Sequence, residues 1–157
     1  MPRGFVGKIY TDMKKKYVQK VIPRVYTKRY RELSSYALRK EILRICNTYQ
    51  GEVITNQHVG IPIQIRGYRR KTAYGEAAYS KKAAVVEKLR VLLRDARYNN
   101  FGVPKANDPE NIIGYYNFRA YIFIDDKKES VRLAIVARKD GSFYYNVEVD
   151  LGRESKK

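Results

Sequence analysis

Apolar and polar residues alternate with a period of two over four stretches of the chain, and this pattern predicts β-strands. Three of the stretches lie in the last third of the sequence: Tyr115–Ile124, Val131–Arg138 and Ser142–Val149. The fourth, Val59–Arg66, is shorter, and Pro62 indicates either that the strand lies near a sheet edge or that Pro62 lies at its start, because proline cannot donate to a strand ladder. Each stretch is expected to bury one face.

Turn residues separate the three C-terminal stretches. Asp140-Gly141 predicts a two-residue hairpin of type I′, because both central residues of that turn need positive φ. The charged segment from Asp125 to Glu129 predicts a longer hairpin loop. The three stretches therefore predict an antiparallel meander, which the strand at 59–66 joins.

Three other segments follow the helical period. A short helix is expected over Lys14–Ile22, ending before Pro23, because a residue that precedes proline avoids the helical region. Thr27 is expected to cap a second helix over Lys28–Tyr49, and a third helix is expected from Ser80 to about Arg97. The second helix has one apolar face, formed by Leu38, Ile42, Ile45 and Tyr49.

The order of these elements predicts an α+β fold: N-terminal helices, then a short strand, a helix and a three-stranded antiparallel meander with the helices packed on one face. Residues 99–113 show no period and contain Asn, Gly, Pro and Asp, so an irregular connection is expected there. The predicted organisation is a basic helical segment over 1–50, an α+β domain over 51–151 and a disordered tail over 152–157.

Positive charge is concentrated in the first half of the chain. Residues 1–71 hold 17 basic and 4 acidic side chains, whereas residues 72–157 hold 16 and 12. Cations interleaved with Tyr17, Tyr26 and Tyr30 suit single-stranded or irregular nucleic acid, because rings stack on bases while cations contact phosphates. The alternative is a solvated helix whose charges serve solubility. The predicted nucleic-acid-binding cations of this half are Lys14, Lys15, Lys16, Lys20, Arg24, Lys28, Arg29 and Arg31.

Several classes of protein are excluded by composition. One cysteine and one histidine cannot form a disulfide framework, a Cys-rich zinc site or a two-histidine metal centre. No apolar run approaches the roughly 20 residues that span a bilayer. No secretory signal, phosphate-binding loop or dinucleotide fingerprint is present. The sequence predicts a cytoplasmic protein that uses no cofactor and no metal and has no membrane partner.

Four segments carry a resemblance to a known group of domains. They are Ile61–Lys71, Lys81–Ala84, Leu92–Tyr98 and Asp140–Tyr145. Over about residues 59–150 the chain resembles the phage-associated domains of the barnase, EndoU, colicin and RelE ribonuclease superfamily, which occur in phage polyproteins and polymorphic toxins. The resemblance implies a barnase- or RelE-like fold and metal-independent RNA cleavage, often of tRNA or messenger RNA.

The resemblance also implies where a site would lie. In such domains it occupies the exposed face of the meander and the loop after its first strand, where a Lys follows the glycine of that strand and further His or Lys residues follow in the loop. Here Gly67 is followed by Tyr68, Arg69, Arg70 and Lys71, so the cationic positions match. The loop over Thr72–Tyr79 departs from the pattern because it holds no histidine.

RNA cleavage by the ribose 2′-hydroxyl needs a base, an acid and cations around the phosphorane. His58 is a candidate because imidazole titrates near neutrality, although a lone histidine is more often a surface or capping residue. Arg69, Arg70 and Lys71 would stabilise the phosphate or simply dock it. The predicted catalytic residues are His58, Arg69, Lys71, Arg119 and Glu148.

Strand alternation places further candidates on the open face of the meander. Arg119 and Arg132 are expected on the solvent faces of neighbouring strands, with ordinary surface charge as the favoured interpretation of Arg132. Glu148 is either a general base or a cross-strand partner of a basic neighbour. Tyr145 belongs to the core face. Arg70, Tyr74 and Tyr144 complete the predicted nucleic-acid-binding residues.

The sequence therefore predicts a nucleic-acid-binding protein with RNA as the favoured partner. The favoured interpretation is a phage or mobile-element ribonuclease-like toxin or effector that cleaves RNA without metal. The alternative is a non-catalytic basic binding module, for example a phage-encoded inhibitor of a host nucleoprotein. An acidic antitoxin or a host protein is a further expected partner, since basic toxins usually have acidic antitoxins.

Overall fold

The computed structural model describes residues 17–68, 76–147 and 150–151 of the chain. These residues form eight strands and four short helices. The strands are β1 (Arg24–Val25), β2 (Val53–Thr55), β3 (Pro62–Tyr68), β4 (Arg97–Gly102), β5 (Ile112–Ile124), β6 (Lys127–Arg138), β7 (Phe143–Val147) and β8 (Asp150–Leu151). The helices are α1 (Lys28–Arg31), α2 (Ser35–Tyr49), α3 (Glu76–Glu87) and α4 (Leu89–Asp95).

All eight strands belong to one mixed sheet, with the order β1-β5-β6-β7-β3-β2. β4 also pairs with β5, and β8 with β6. The β1–β5 and β3–β7 pairs are parallel, and the other pairs are antiparallel. The predicted α+β fold, with N-terminal helices and a three-stranded antiparallel meander, is therefore wrong. Strands of two or three residues show no hydrophobic period, and parallel pairing of distant segments leaves no local pattern in the sequence.

Two of the predicted long helices are each divided in the structure. Ser34 begins α2, because its Oγ accepts a hydrogen bond from the Ala37 N–H at 3.1 Å. The Thr27 side chain makes no capping bond and instead donates to the Asp125 carboxylate at 2.5 Å. The C-terminal helix is divided at Lys88 into α3 and α4. Residues 17–22 are not helical, and Lys14, Lys15 and Lys16 lie outside the described residues.

The hairpin turns differ from the predicted ones. Asp125 and Asp126 have φ values of 51° and 67°, so positive φ at both central residues occurs between β5 and β6 rather than at Asp140-Gly141. Aspartate tolerates this conformation better than most residues. The turn is held by Thr27, whose N–H donates to Asp125 at 2.9 Å, and by Arg24, which pairs with Asp126 at 2.8 Å.

The two faces of the sheet differ in character. One face forms the core with the helices, and α2 packs against both α3 and β3. Its fully buried side chains include Ile63, Phe118, Leu133 and Tyr145. Alternation turns the remaining side chains of β3 to β7 toward the opposite face, where most are exposed or half-buried. None of the helices in the described part of the chain is long and apolar enough to cross a membrane.

Candidate nucleic-acid interface

Three arginines form a row across neighbouring strands on the face opposite the helices. Arg97 of β4 is in register with Arg119 of β5, which is in register with Arg132 of β6. Neighbouring strands lie about 4.8 Å apart, and like charges directly opposite each other destabilise a sheet. Arg97 and Arg132 are exposed, whereas Arg119 is half-buried and donates to the Ser130 hydroxyl. The row therefore concentrates positively charged side chains on one surface of the sheet.

A second cationic cluster surrounds Tyr144 on β7. The guanidinium carbon of Arg66 lies 4.3 Å from the centre of the Tyr144 ring, and that of Arg138 lies 4.7 Å from it. Arg66 is on β3 and Arg138 is on β6, the two strands that flank β7. Such cation–π contacts hold the guanidinium groups in place without neutralising them. We define the basic face as the surface formed by Arg66, Arg97, Arg119, Arg132, Arg138 and Tyr144.

Carboxylates are scarce on the basic face. None of the described side chains that β3 to β7 turn toward it is acidic. At its border, Asp108 accepts hydrogen bonds from the Tyr115 hydroxyl at 2.6 Å and from the Lys105 N–H at 2.7 Å, and these bonds lower the pKa of its carboxyl. Asp150 of β8 is in register with Arg132. The described side chains that β3 to β7 contribute to this surface are therefore basic or uncharged.

The predicted site residues of the strands lie partly on this surface. Arg119 and Tyr144 belong to the basic face, and Arg24 lies at its β1 end, where its guanidinium is 4.5 Å from the centre of the Phe123 ring. The remaining predicted residues of the loop and strand ends lie outside the described residues: Arg69, Arg70, Lys71 and Tyr74, together with Glu148.

The N-terminal cations are spread over more than one side of the protein. Arg29 contacts Glu87 of α3 and donates to the Tyr30 hydroxyl at 3.0 Å, so it lies on the helical side. Arg31 donates from Nε to the Thr27 hydroxyl at 3.0 Å. The side chains of Lys20 and Lys28 are exposed. The contact with Glu87 therefore holds Arg29 on the helical side of the protein, away from the arginine row.

His58 is enclosed by the protein rather than placed on the basic face. Its side chain is 1% exposed, its Nδ1 accepts a hydrogen bond from the Tyr98 N–H at 2.9 Å, and its ring stacks on Tyr17 with 4.2 Å between the ring centres. Burial, with a smaller contribution from the charge of Arg97, lowers the pKa of His58 to about 4. The geometry gives His58 a structural contact, and its catalytic role stays a prediction.

This environment makes the stability of the protein depend on pH. Because the pKa of His58 falls from its ordinary value of 6.5 to about 4 on folding, the unfolded chain binds a proton more readily. The contribution of His58 to the free energy of unfolding is about 2 to 3 kcal/mol. It is fully present above pH 6.5 and is lost as the pH falls toward 4. His58→Asn keeps an acceptor for the Tyr98 N–H. We expect it to remove this part of the pH dependence of the free energy of unfolding. Urea unfolding at several pH values measures it, and parallel pH profiles of the two proteins would contradict the assignment.

Four residues of the basic face, Arg66, Arg97, Arg132 and Arg138, are not among the predicted site residues, and Arg132 is expected on the solvent face only as ordinary surface charge. Arg66 and Arg138 alternate with the buried residues of their strands, so strand alternation alone is sufficient to place them on the exposed face. Arg97 is not revealed by the sequence pattern, because the helical period extends to the start of β4 and the residues after it show no alternation. The described residues contain no group of three or more His, Cys, Asp or Glu side chains that could hold a metal ion.

Comparison with known proteins gives one result. Residues 34–145 match the model of the family described as large polyvalent protein-associated domain 3. The matched segment includes every residue that defines the basic face. No curated protein and no solved structure matches the chain. Membership of the ribonuclease superfamily stays a prediction.

Proposed function

The chain belongs to the large polyvalent protein-associated domain 3 family, and we propose that in this setting it binds nucleic acid, with RNA as the favoured partner, through its basic face. Association with large polyvalent proteins agrees with the predicted phage or toxin association. The observation that carries the proposal is the cross-strand row Arg97–Arg119–Arg132.

The row supports phosphate binding for an energetic reason. Three guanidinium groups held on adjacent strands create a local positive potential that attracts a chain of phosphates lying across the strands. Each guanidinium carries five donors in a planar fork that suits phosphate oxygens. The Tyr144 ring is covered by the guanidinium groups of Arg66 and Arg138 and orders them, whereas Tyr115 on the same face adds an aromatic ring on which a base can stack.

Binding without cleavage is the form of this function that we favour. His58 is buried and has a lowered pKa, so it does not face a phosphate held on the arginine row. Incubation of the protein with tRNA and total RNA in the presence of a chelator distinguishes the two forms. Intact RNA at high protein concentration supports a binding module, whereas cleavage products support the ribonuclease-like effector.

Salt dependence tests the binding proposal quantitatively. We expect the logarithm of the RNA association constant to fall linearly with the logarithm of salt concentration. The slope should be about −2 or steeper for three phosphate contacts. Replacing Arg97 and Arg132 together by alanine is expected to make the slope shallower by about 1.4, because two contacts to single-stranded RNA are lost. Fluorescence anisotropy of a labelled RNA measures both quantities.

The matched control is Lys40→Ala combined with Arg44→Ala. Both residues are exposed on α2, on the opposite side of the protein, and their removal changes the net charge by the same amount. We expect the control to keep the slope of the parent protein. Equal slopes for the two double variants, or no RNA binding at low salt, would show that the basic face does not hold phosphates.

A further inference from the structure

Two asparagine side chains lie beside the arginine row. Asn100 of β4 is in register with Asn117 of β5, and the Asn117 amide donates a hydrogen bond to the Asn100 carbonyl oxygen at 2.9 Å. Asn117 is two residues from Arg119 on the same strand, so the amide pair lies about 7 Å from the arginine row. This distance is comparable to that between a phosphate and its own base.

The amide pair has hydrogen-bonding capacity beyond its internal bond. A primary amide offers two donors and a carbonyl acceptor, so the single bond leaves the Asn100 N–H groups and the Asn117 carbonyl oxygen for a ligand. Asn100 is exposed, and Asn117 is half-buried. A donor beside an acceptor matches the hydrogen-bonding edge of an unpaired base.

Aromatic residues form the next row along the strands. Tyr115 of β5, Val136 of β6 and Tyr144 of β7 are in register, and Val136 between the two tyrosines is buried. Opposite Tyr115, Gly102 of β4 contributes no side chain, and a Cβ there would lie 3.3 Å from the Asn117 amide nitrogen. The glycine therefore leaves space above the amide pair.

Rows of cations, amides and aromatic rings thus follow one another in parallel across the strands. We propose that this order selects single-stranded RNA: the arginine row holds the phosphates, and Asn100 and Asn117 bind the edges of unpaired bases. The inference rests on the proposed function, since it specifies the nucleic acid that the basic face takes. In an RNA duplex the Watson–Crick edges are already paired, and the major groove is too deep and narrow for side chains to read.

The test compares three labelled ligands with the full chain: a short single-stranded RNA, the perfect duplex of that RNA, and a single-stranded DNA of the same sequence. We expect the single-stranded RNA to bind about tenfold more tightly than the duplex. Asn100→Ala combined with Asn117→Ala is expected to lower single-strand affinity about tenfold, while duplex affinity and the salt slope stay constant.

Asn47→Ala combined with Asn111→Ala is the matched control, because both residues are exposed and lie outside the basic face. It should bind as the parent protein does. Duplex binding as tight as single-strand binding would overturn the inference and leave the proposed function intact. A single-strand preference that survives loss of both asparagines would overturn the role of the amide pair, and equal affinity for DNA would overturn the choice of RNA. Failure to bind any nucleic acid would instead overturn the proposed function.

Discussion

Asn56→Ala is expected to lower the free energy of unfolding by about 4 kcal/mol, because it leaves several buried backbone groups without partners. The Asn56 side chain is completely buried. Its amide nitrogen donates to the carbonyl oxygens of Leu93 and Ala96, each at 2.9 Å. Its carbonyl oxygen accepts from the N–H groups of His58 at 2.9 Å and Val59 at 3.0 Å. One side chain therefore satisfies four main-chain groups from two distant segments.

Chemical denaturation monitored by circular dichroism measures this loss. The matched control is Gln57→Ala: Gln57 is exposed, and its N–H donates to the Arg94 carbonyl at 2.8 Å, a bond that alanine keeps. We expect the control to lie within about 0.5 kcal/mol of the parent protein. If Asn56→Ala unfolds at the same denaturant concentration as the control, the hydrogen bonds of Asn56 do not stabilise the fold.

The position of Asn56 also matters for the basic face. Its amide binds carbonyl groups at and just after the end of α4, where a helix leaves acceptors unsatisfied. β4 begins immediately afterwards with Arg97. The loop between β2 and β3 thereby fixes the point at which the chain leaves α4 and enters the sheet, and the first residue of the arginine row depends on it.

The alternation of apolar and polar residues is sufficient to predict the long strands, but it does not predict how the strands pair in the sheet. The alternating segments correspond to β5, β6 and β7, and the apolar positions Leu38, Ile42, Ile45 and Tyr49 of the second predicted helix are buried. By contrast, β1 and β2 have two and three residues, too few to show a period. The parallel pairing of β3 with β7 joins segments far apart in sequence, and it is set by packing rather than by local preference.

The arginine row shows how one turn determines a site. A long loop from Asp125 to Glu129 was expected, but the structure has a tight turn centred on Asp125 and Asp126. The tight turn places Arg119 and Arg132 directly opposite each other. Because register decides which side chains meet across strands, the expected longer loop does not place the two arginines opposite each other, although alternation assigns both to the solvent faces of neighbouring strands.

Arg119→Glu is expected to change binding and stability in different directions. RNA affinity at low salt should fall on the order of 100-fold, because a carboxylate in the middle of the row faces the phosphates and like charges across an interface cost several kcal/mol. In the folded protein, the same carboxylate lies in register with Arg97 and Arg132. Opposite charges at these positions contribute about 0.2 to 1 kcal/mol per pair, which offsets the lost hydrogen bond to Ser130. The free energy of unfolding should therefore stay the same or rise.

Parallel binding and denaturation measurements on one preparation of the variant check both halves of this expectation. Lys40→Glu on α2 makes an equal change in net charge away from the basic face, and only a small loss of affinity is expected there because salt screens distant charges. Arg119→Gln removes the positive charge without adding a negative one, so its affinity should lie between those of Arg119→Glu and the parent protein. Full RNA affinity in a folded Arg119→Glu protein would mean that the row makes no contact with RNA. A large loss of stability would mean that the main role of Arg119 is to support the sheet. A gain in stability together with a loss of binding is expected of a surface arranged for a polyanionic ligand.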